Sequence, residues 1–117
     1  FLGEICRDRG MFPIAEAIHL MTDRPARLFG LKDRGRVAPG FHADLVVFDP
    51  RTVNAGPIRN RRDLPGDCER LFSAAEGVHH VFVNGVEIVR DGKETGTLPG
   101  RLLRSGRDTE TVTASGA

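Results

Sequence analysis

Four histidines, two cysteines and a scatter of carboxylates are the groups in this 117-residue chain that could hold a metal or move a proton. A hydrolytic zinc centre needs several His, Cys or carboxylate ligands converging on one ion, with a position open for water. His19, His42, His79 and His80 form no His-x-His or His-x-x-x-His pair. His79 and His80 are adjacent on an expected strand, so they leave on opposite faces and do not grip one ion together. His19 sits between apolar neighbours on an expected helix and His42 at a turn-to-strand junction, and both read as surface or boundary histidines. Asp44 interrupts the start of an apolar run, which invites a catalytic reading. A carboxylate there also serves to accept hydrogen bonds from N–H groups around residues 40–42 that a tight turn leaves unpaired, and that structural role is the expectation.

Nucleophiles fare no better. Cys6 and Cys68 lack a sequence-near histidine or a Cys-x-x-Cys partner and read as packed or inert thiols. Ser73, Ser105 and Ser115 lack a Gly-x-Ser-x-Gly setting. Arg59, Arg61 and Arg62 could meet a carboxylate, a phosphate or an acidic partner surface, although such a cluster is ordinarily a solvated loop. Stacking platforms for nucleic acid are missing: there is no Trp or Tyr, and Phe12, Phe29, Phe48 and Phe82 stand where core residues are expected. The residues thus assign no catalytic, cofactor-binding or metal position in this chain.

The elements that would position these groups follow from local pattern. Residues 2–31 read as helices. Ile14, Ala17, Ile18 and Met21 recur at helical spacing, Pro13 suits the first helical position, and the stripe is expected to be buried. Pro25 is expected to open a further short helix through Leu28 and Phe29, ended by Gly30 in the left-handed conformation. Beyond Leu31 the period becomes strand-like, placing the boundary near residues 32–35. Pro39 and Gly40 suit the central positions of a type II turn over residues 38–41. Leu45, Val46, Val47 and Phe48 form an apolar strand expected to be covered on both faces. The Asn84-Gly85 pair supplies the two positive-φ residues of a type I′ hairpin, setting Val83 against Val86, Val81 against Ile88 and His79 against Arg90. Residues 51–77, with Pro57, Pro65, Gly56 and Gly66, read as an irregular insertion in which residues 69–75 make a helical turn or two. Residues 105–117 read as a disordered or loosely held tail.

Composition bounds the rest. At 39% apolar content the chain should bury one modest core, and a net charge of +1 makes no case for nucleic acid or an acidic membrane as partner. Two widely spaced cysteines suit reduced thiols in a cytoplasmic protein. No apolar run approaches the roughly 20 residues of a membrane helix, and no basic, apolar leader stands at the start, so a soluble chain is expected. A beginning at Phe1 agrees with a piece of a longer protein.

Four segments taken in order carry a resemblance. The first is Met21-Thr22-Asp23-Arg24-Pro25-Ala26-Arg27-Leu28-Phe29-Gly30-Leu31, running on into residues 35–50 with their Val37-Ala38-Pro39-Gly40-Phe41-His42-Ala43-Asp44 core. The others are Gly77-Val78-His79-His80-Val81-Phe82-Val83-Asn84-Gly85-Val86, then Val89-Arg90-Asp91-Gly92-Lys93-Glu94-Thr95-Gly96, and finally Leu98-Pro99-Gly100-Arg101. Together they resemble the C-terminal end of the metal-dependent amidohydrolases, in the N-acyl-D-amino-acid deacylase (D-aminoacylase) branch, over residues 1–104. Phe41 departs from the tyrosine frequent in that family, and residues 54–76 contribute no motif to the resemblance.

The resemblance implies an α+β fold: terminal helices of a catalytic barrel over residues 1–31, then the C-terminal part of a small β-sandwich-like domain over residues 32–104. It implies a parent hydrolase in which a zinc-activated water attacks the amide of an N-acyl-D-amino acid while an aspartate manages the proton. The family's metal ligands and that aspartate belong upstream, so this chain is expected to be structural, inactive alone and free of zinc. Its partners would be the upstream barrel and N-terminal strands of the same protein, and unpaired strand edges would allow a homo-oligomer. Two other classes stay open: a stand-alone β-rich binding or assembly module, and an interaction protein working through Arg59, Arg61 and Arg62.

Overall fold

The computed structural model of the chain describes residues 1–112, and its fold is α+β. A π-helical segment, Leu2–Asp8, precedes α1 (Ile14–Met21) and α2 (Asp23–Leu28). Pro13 is the cap of α1 rather than its first residue, and its carbonyl accepts from Ala17 N–H at 3.0 Å. Ala17 is fully buried and Ile18 half-buried, yet Ile14 and Met21 are 39% and 52% exposed, so the expected buried stripe is covered only at its middle. α2 opens at Asp23, two residues before Pro25, with a carboxylate where the helix N-terminus favours negative charge. It closes as the sequence leads one to expect. Gly30, at φ 61°, donates to the Arg27 carbonyl at 3.0 Å and Leu31 N–H to the Ala26 carbonyl at 2.8 Å, the paired bonds of a Schellman ending.

Eight strands follow: β1 (Leu45–Phe48), β2 (Asn54–Ala55), β3 (Arg59–Leu64), β4 (Cys68–Phe72), β5 (Ala75–Glu76), β6 (Val78–Val83), β7 (Val86–Arg90) and β8 (Lys93–Glu94). They form an antiparallel sheet of order β1-β6-β7-β8 and two two-stranded ladders, β2 with β5 and β3 with β4. The turn before β1 is closed by Phe41 N–H on the Ala38 carbonyl at 3.1 Å with Gly40 at φ 83°, as a type II turn requires.

The Asn84-Gly85 hairpin has both residues at positive φ and sets Val83 opposite Val86 as expected, but the register then slips. Phe82 faces Glu87, whereas Val81 faces Val89 and His80 faces Arg90, because β7 carries one extra residue in a β-bulge. Thr95 and Thr97 place their hydroxyls 2.8 and 2.9 Å from the Glu87 carbonyl, and Thr95 N–H donates to the Ile88 carbonyl at 3.0 Å. These donors satisfy the backbone that the bulge displaces. A second positive-φ pair, Asp91 and Gly92, turns β7 into β8.

Three further expectations need correction. Residues 51–77 are not an irregular insertion with a helical turn but an arm of two antiparallel ladders, reversing at Pro65–Asp67 with Gly66 and Asp67 at positive φ. Residues 105–112 hold more structure than a loose tail: Asp108 N–H reaches the Arg104 carbonyl, Leu31 bridges Thr109, and Glu110 N–H donates to the Gly30 carbonyl at 2.7 Å. The remaining residues of that segment, 113–117, lie outside the described ones. Finally, no closed core forms among the described residues. Of the apolar side chains only Cys6, Ala17, Ala26 and Val53 are buried, Phe29 is 68% exposed, and in β1 Leu45 and Phe48 are half-buried while Val46 and Val47 are 55% and 47% exposed, so the strand is only partly covered. The radius of gyration is 16.7 Å, against about 13 Å for a compact domain of this length.

Candidate functional site

The most connected polar group in the sheet region joins three segments. Arg34 donates through Nη1 to Asp44 and through Nη2 to Asn84 Oδ1 at 2.9 Å; Asn84 N–H donates to Asp44 Oδ1 at 2.9 Å. Asn84 Nδ2 donates to the Pro99 carbonyl at 2.8 Å, and Gly85 N–H to the Ala43 carbonyl at 2.9 Å. Asp44 therefore does not serve the loop N–H groups of residues 40–42, since Phe41 N–H goes to Ala38 and His42 N–H to Asp33. Partial burial pushes the Asp44 carboxyl up, but the Asn84 N–H and the Arg34 guanidinium outweigh it and hold the group below its ordinary value. Both Asp44 oxygens accept hydrogen bonds from structural groups, Oδ2 from Arg34 and Oδ1 from the Asn84 N–H, so its place is in holding these segments together. Arg34 escaped the sequence reading because its partners lie 10 and 50 residues away.

On β6 and β7, His80 Nδ1 meets Glu87 Oε1 at 2.7 Å and Arg90 Nε donates to Glu87 Oε2 at 2.7 Å. The guanidinium first, and then the imidazole, depress the Glu87 carboxyl. His79 is exposed on the other face. Asp23, buried at the start of α2, is ringed by Arg27 at 2.7 Å, Arg36 at 3.3 Å and His19 at 3.6 Å. A cleft of about 450 Å³ opens beside it, lined by Asp23, Arg27, Lys32, Arg36 and Phe41 among others. His42 is exposed beyond its turn; Cys6 is buried and Cys68 exposed, neither is in a disulfide, and the Cys68 thiol donates to the Gly66 carbonyl at 3.8 Å. Among the described residues no three His, Cys, Asp or Glu groups converge as metal ligands. The two carboxylates nearest a histidine are both claimed by arginines, so these residues do not fit a zinc centre.

The arginine cluster is likewise occupied. Arg61 pairs with Asp63 at 2.8 Å, and Arg62 with Asp67 at 2.8 Å and Glu69 at 2.7 Å; Arg70 grips both Asp63 oxygens. Arg61 and Arg70 also stand over the Phe72 ring at 4.7 and 5.1 Å. Asp63 is held low by Arg70. The arm is a lattice of internal ion pairs, not a basic patch, and among the described residues only Arg59 of the three lacks a carboxylate partner.

Residues 2–89 match the model of the amidohydrolase family. The chain is 40% identical to D-aminoacylase of Alcaligenes xylosoxydans xylosoxydans over 87% of its length, covering 19% of that protein. It is also 40% identical to the N-acyl-D-glutamate deacylase of the same organism, over 88% of its length and 19% of that enzyme. A crystal structure of D-aminoacylase superposes with a TM-score of 0.61 at 42% identity, over 82% of this chain and 18% of that one, and a second structure of it is described by a binuclear metal centre. The chain spans about a fifth of the length of these curated relatives. Equal identity to enzymes named for different substrates means that this region does not discriminate between them. With the ordered segments, the α+β architecture and the superposition in agreement, the chain belongs to the amidohydrolase family, on its D-aminoacylase branch.

Proposed function

We propose that this chain is the C-terminal region of a metal-dependent amidohydrolase that hydrolyses N-acyl-D-amino acids or related amides, and that it is structural rather than catalytic. The catalytic zinc and the proton-handling aspartate belong, in this reading, to an upstream barrel in the cytoplasmic parent. The observation that carries it is the apolar surface: Met21, Phe29, Val46, Val47 and Leu98 are each about half or more exposed. Soluble monomers rarely leave so much large apolar surface open, and such surface marks an interface. Helix faces at residues 14–29 and the open side of β1 are where the barrel and the missing strands would pack. A self-sufficient binding module would enclose side chains of this size itself.

The experiment compares the 117-residue chain with the longer reading frame against a panel of N-acyl-D- and N-acyl-L-amino acids, with and without a chelator. The long form should turn over the D-substrates and lose activity to the chelator, while the chain alone stays at background. Turnover by the isolated chain, or a parent indifferent to chelation, would overturn the reading.

A further inference from the structure

The Asn84-Gly85 pair is also a reactive dipeptide. In an Asn-Gly step the backbone nitrogen of Gly, once its proton is taken by hydroxide, attacks the Asn side-chain carbonyl carbon. A C–N bond forms, ammonia leaves, and water then opens the five-membered imide to aspartate or isoaspartate. Glycine makes this easy because it has no side chain to hinder the attacking nitrogen.

We infer that Asn84 is a deamidation site that the native fold holds closed through Arg34. Every group the reaction must move is engaged. The nucleophile, Gly85 N–H, is committed to the Ala43 carbonyl at 2.9 Å. The departing nitrogen, Nδ2, is tied to the Pro99 carbonyl at 2.8 Å, and Oδ1 to Arg34 Nη2 at 2.9 Å. Arg34 is itself fixed by Asp44 and is only 13% exposed. A hydrogen bond to Oδ1 also polarises the amide. Ring closure, however, requires Cγ to swing onto the Gly85 nitrogen, and that rotation breaks the Arg34 and Pro99 contacts before polarisation counts. Asn54 and Asn60, followed by Ala55 and Arg61, lack this reactivity and serve as internal controls.

Conversion would also cost the Pro99 contact, since a carboxylate at position 84 has no N–H to donate to that carbonyl.

The test incubates the folded full-length protein at mildly alkaline pH beside a peptide of residues 81–88, reading deamidation by peptide mass spectrometry. Residue 84 should react at least about tenfold more slowly in the protein, the weight of one charge-assisted hydrogen bond. Equal rates would overturn the proposal. Arg34→Ala should then restore much of the peptide rate at residue 84 while the Val81 and Val89 amides keep their protection from hydrogen exchange. An unchanged or slower rate in that variant, or a rise that merely follows lost protection at Val81 and Val89, would remove Arg34 from the account.

Discussion

Gly35 and Gly40 share the same positive φ and differ in their surroundings, which makes them a controlled pair. Their φ angles are 82° and 83°, so alanine at either meets the same intrinsic penalty, about 1–2 kcal/mol for a left-handed L-residue. A Cβ on Gly40 would meet nothing within 4 Å. On Gly35 it would stand 2.5 Å from Ala26 Cβ and 2.9 Å from the Thr22 carbonyl oxygen. Neither neighbour can yield: the carbonyl accepts Ala26 N–H at 3.1 Å, and Ala26 is buried in α2. Overpacking of this kind adds about 1–3 kcal/mol, so Gly35→Ala should lose about 2–5 kcal/mol where Gly40→Ala loses about 1–2. The gap corresponds to a factor of about 5 to 150 in the ratio of folded to unfolded protein. Urea unfolding of both variants in the full-length protein reads it, provided the slopes agree. Equal midpoints would refute the claim that Gly35 is where α2 and the segment leading to the sheet are pressed together.

Asp44→Asn tests the network of Arg34, Asp44 and Asn84. Because the folded carboxyl is depressed, its contribution is fully present above the unfolded value of about 3.9 and is lost as pH falls through the lower folded value. Hydrogen exchange at the Asn84 amide should therefore differ between wild type and variant near neutral pH and converge in acid; a gap that widens in acid would reverse the sign. One residue inserted between Asn84 and Gly85 should unpair the half-buried Val81, Val83 and Ile88, at about 1 kcal/mol per side chain, with lost amide protection along β6 and β7 as the readout. The purified chain should hold no stoichiometric zinc, and elemental analysis finding one tightly bound metal per chain would contradict that.

What could be read in the sequence was whatever a short stretch decides by itself. Pro39-Gly40, Gly30 and Asn84-Gly85 carry their conformational preferences locally, and each turn or helix end stands where those preferences put it. Asp91-Gly92 bears the same signal, with both residues at positive φ in the turn from β7 to β8. The arm was illegible because its pairing is written in charge: Arg62 faces Glu69 across the ladder, and Asp63 is shared by Arg61 and Arg70. Apolar periodicity is blind to such a pattern, and Pro65 and Gly66, which read as part of an irregular insertion, are the turn that closes it. The bulge in β7 was beyond reach for a different reason. Its backbone is satisfied by Thr95 and Thr97 from across the next turn, so the register slip depends on residues that a two-strand alignment never consults.

The apolar run of β1 presents the harder case. Leu45, Val46, Val47 and Phe48 predict a strand covered on both faces, and the strand is there while Val46 and Val47 lie open. Burial is a property of an assembly, and a sequence pattern records the environment in which a segment ends up rather than the one its own chain supplies. The same holds for Ile14 and Met21, whose helical spacing is correct while their face lies open. Where pattern and exposure disagree in this direction, the mismatch marks the surfaces on which the proposed barrel and strands would close. On the proposed reading the chemistry would belong to ligands that an upstream barrel brings together, whereas every depressed carboxylate described in this chain has an arginine partner in its own fold.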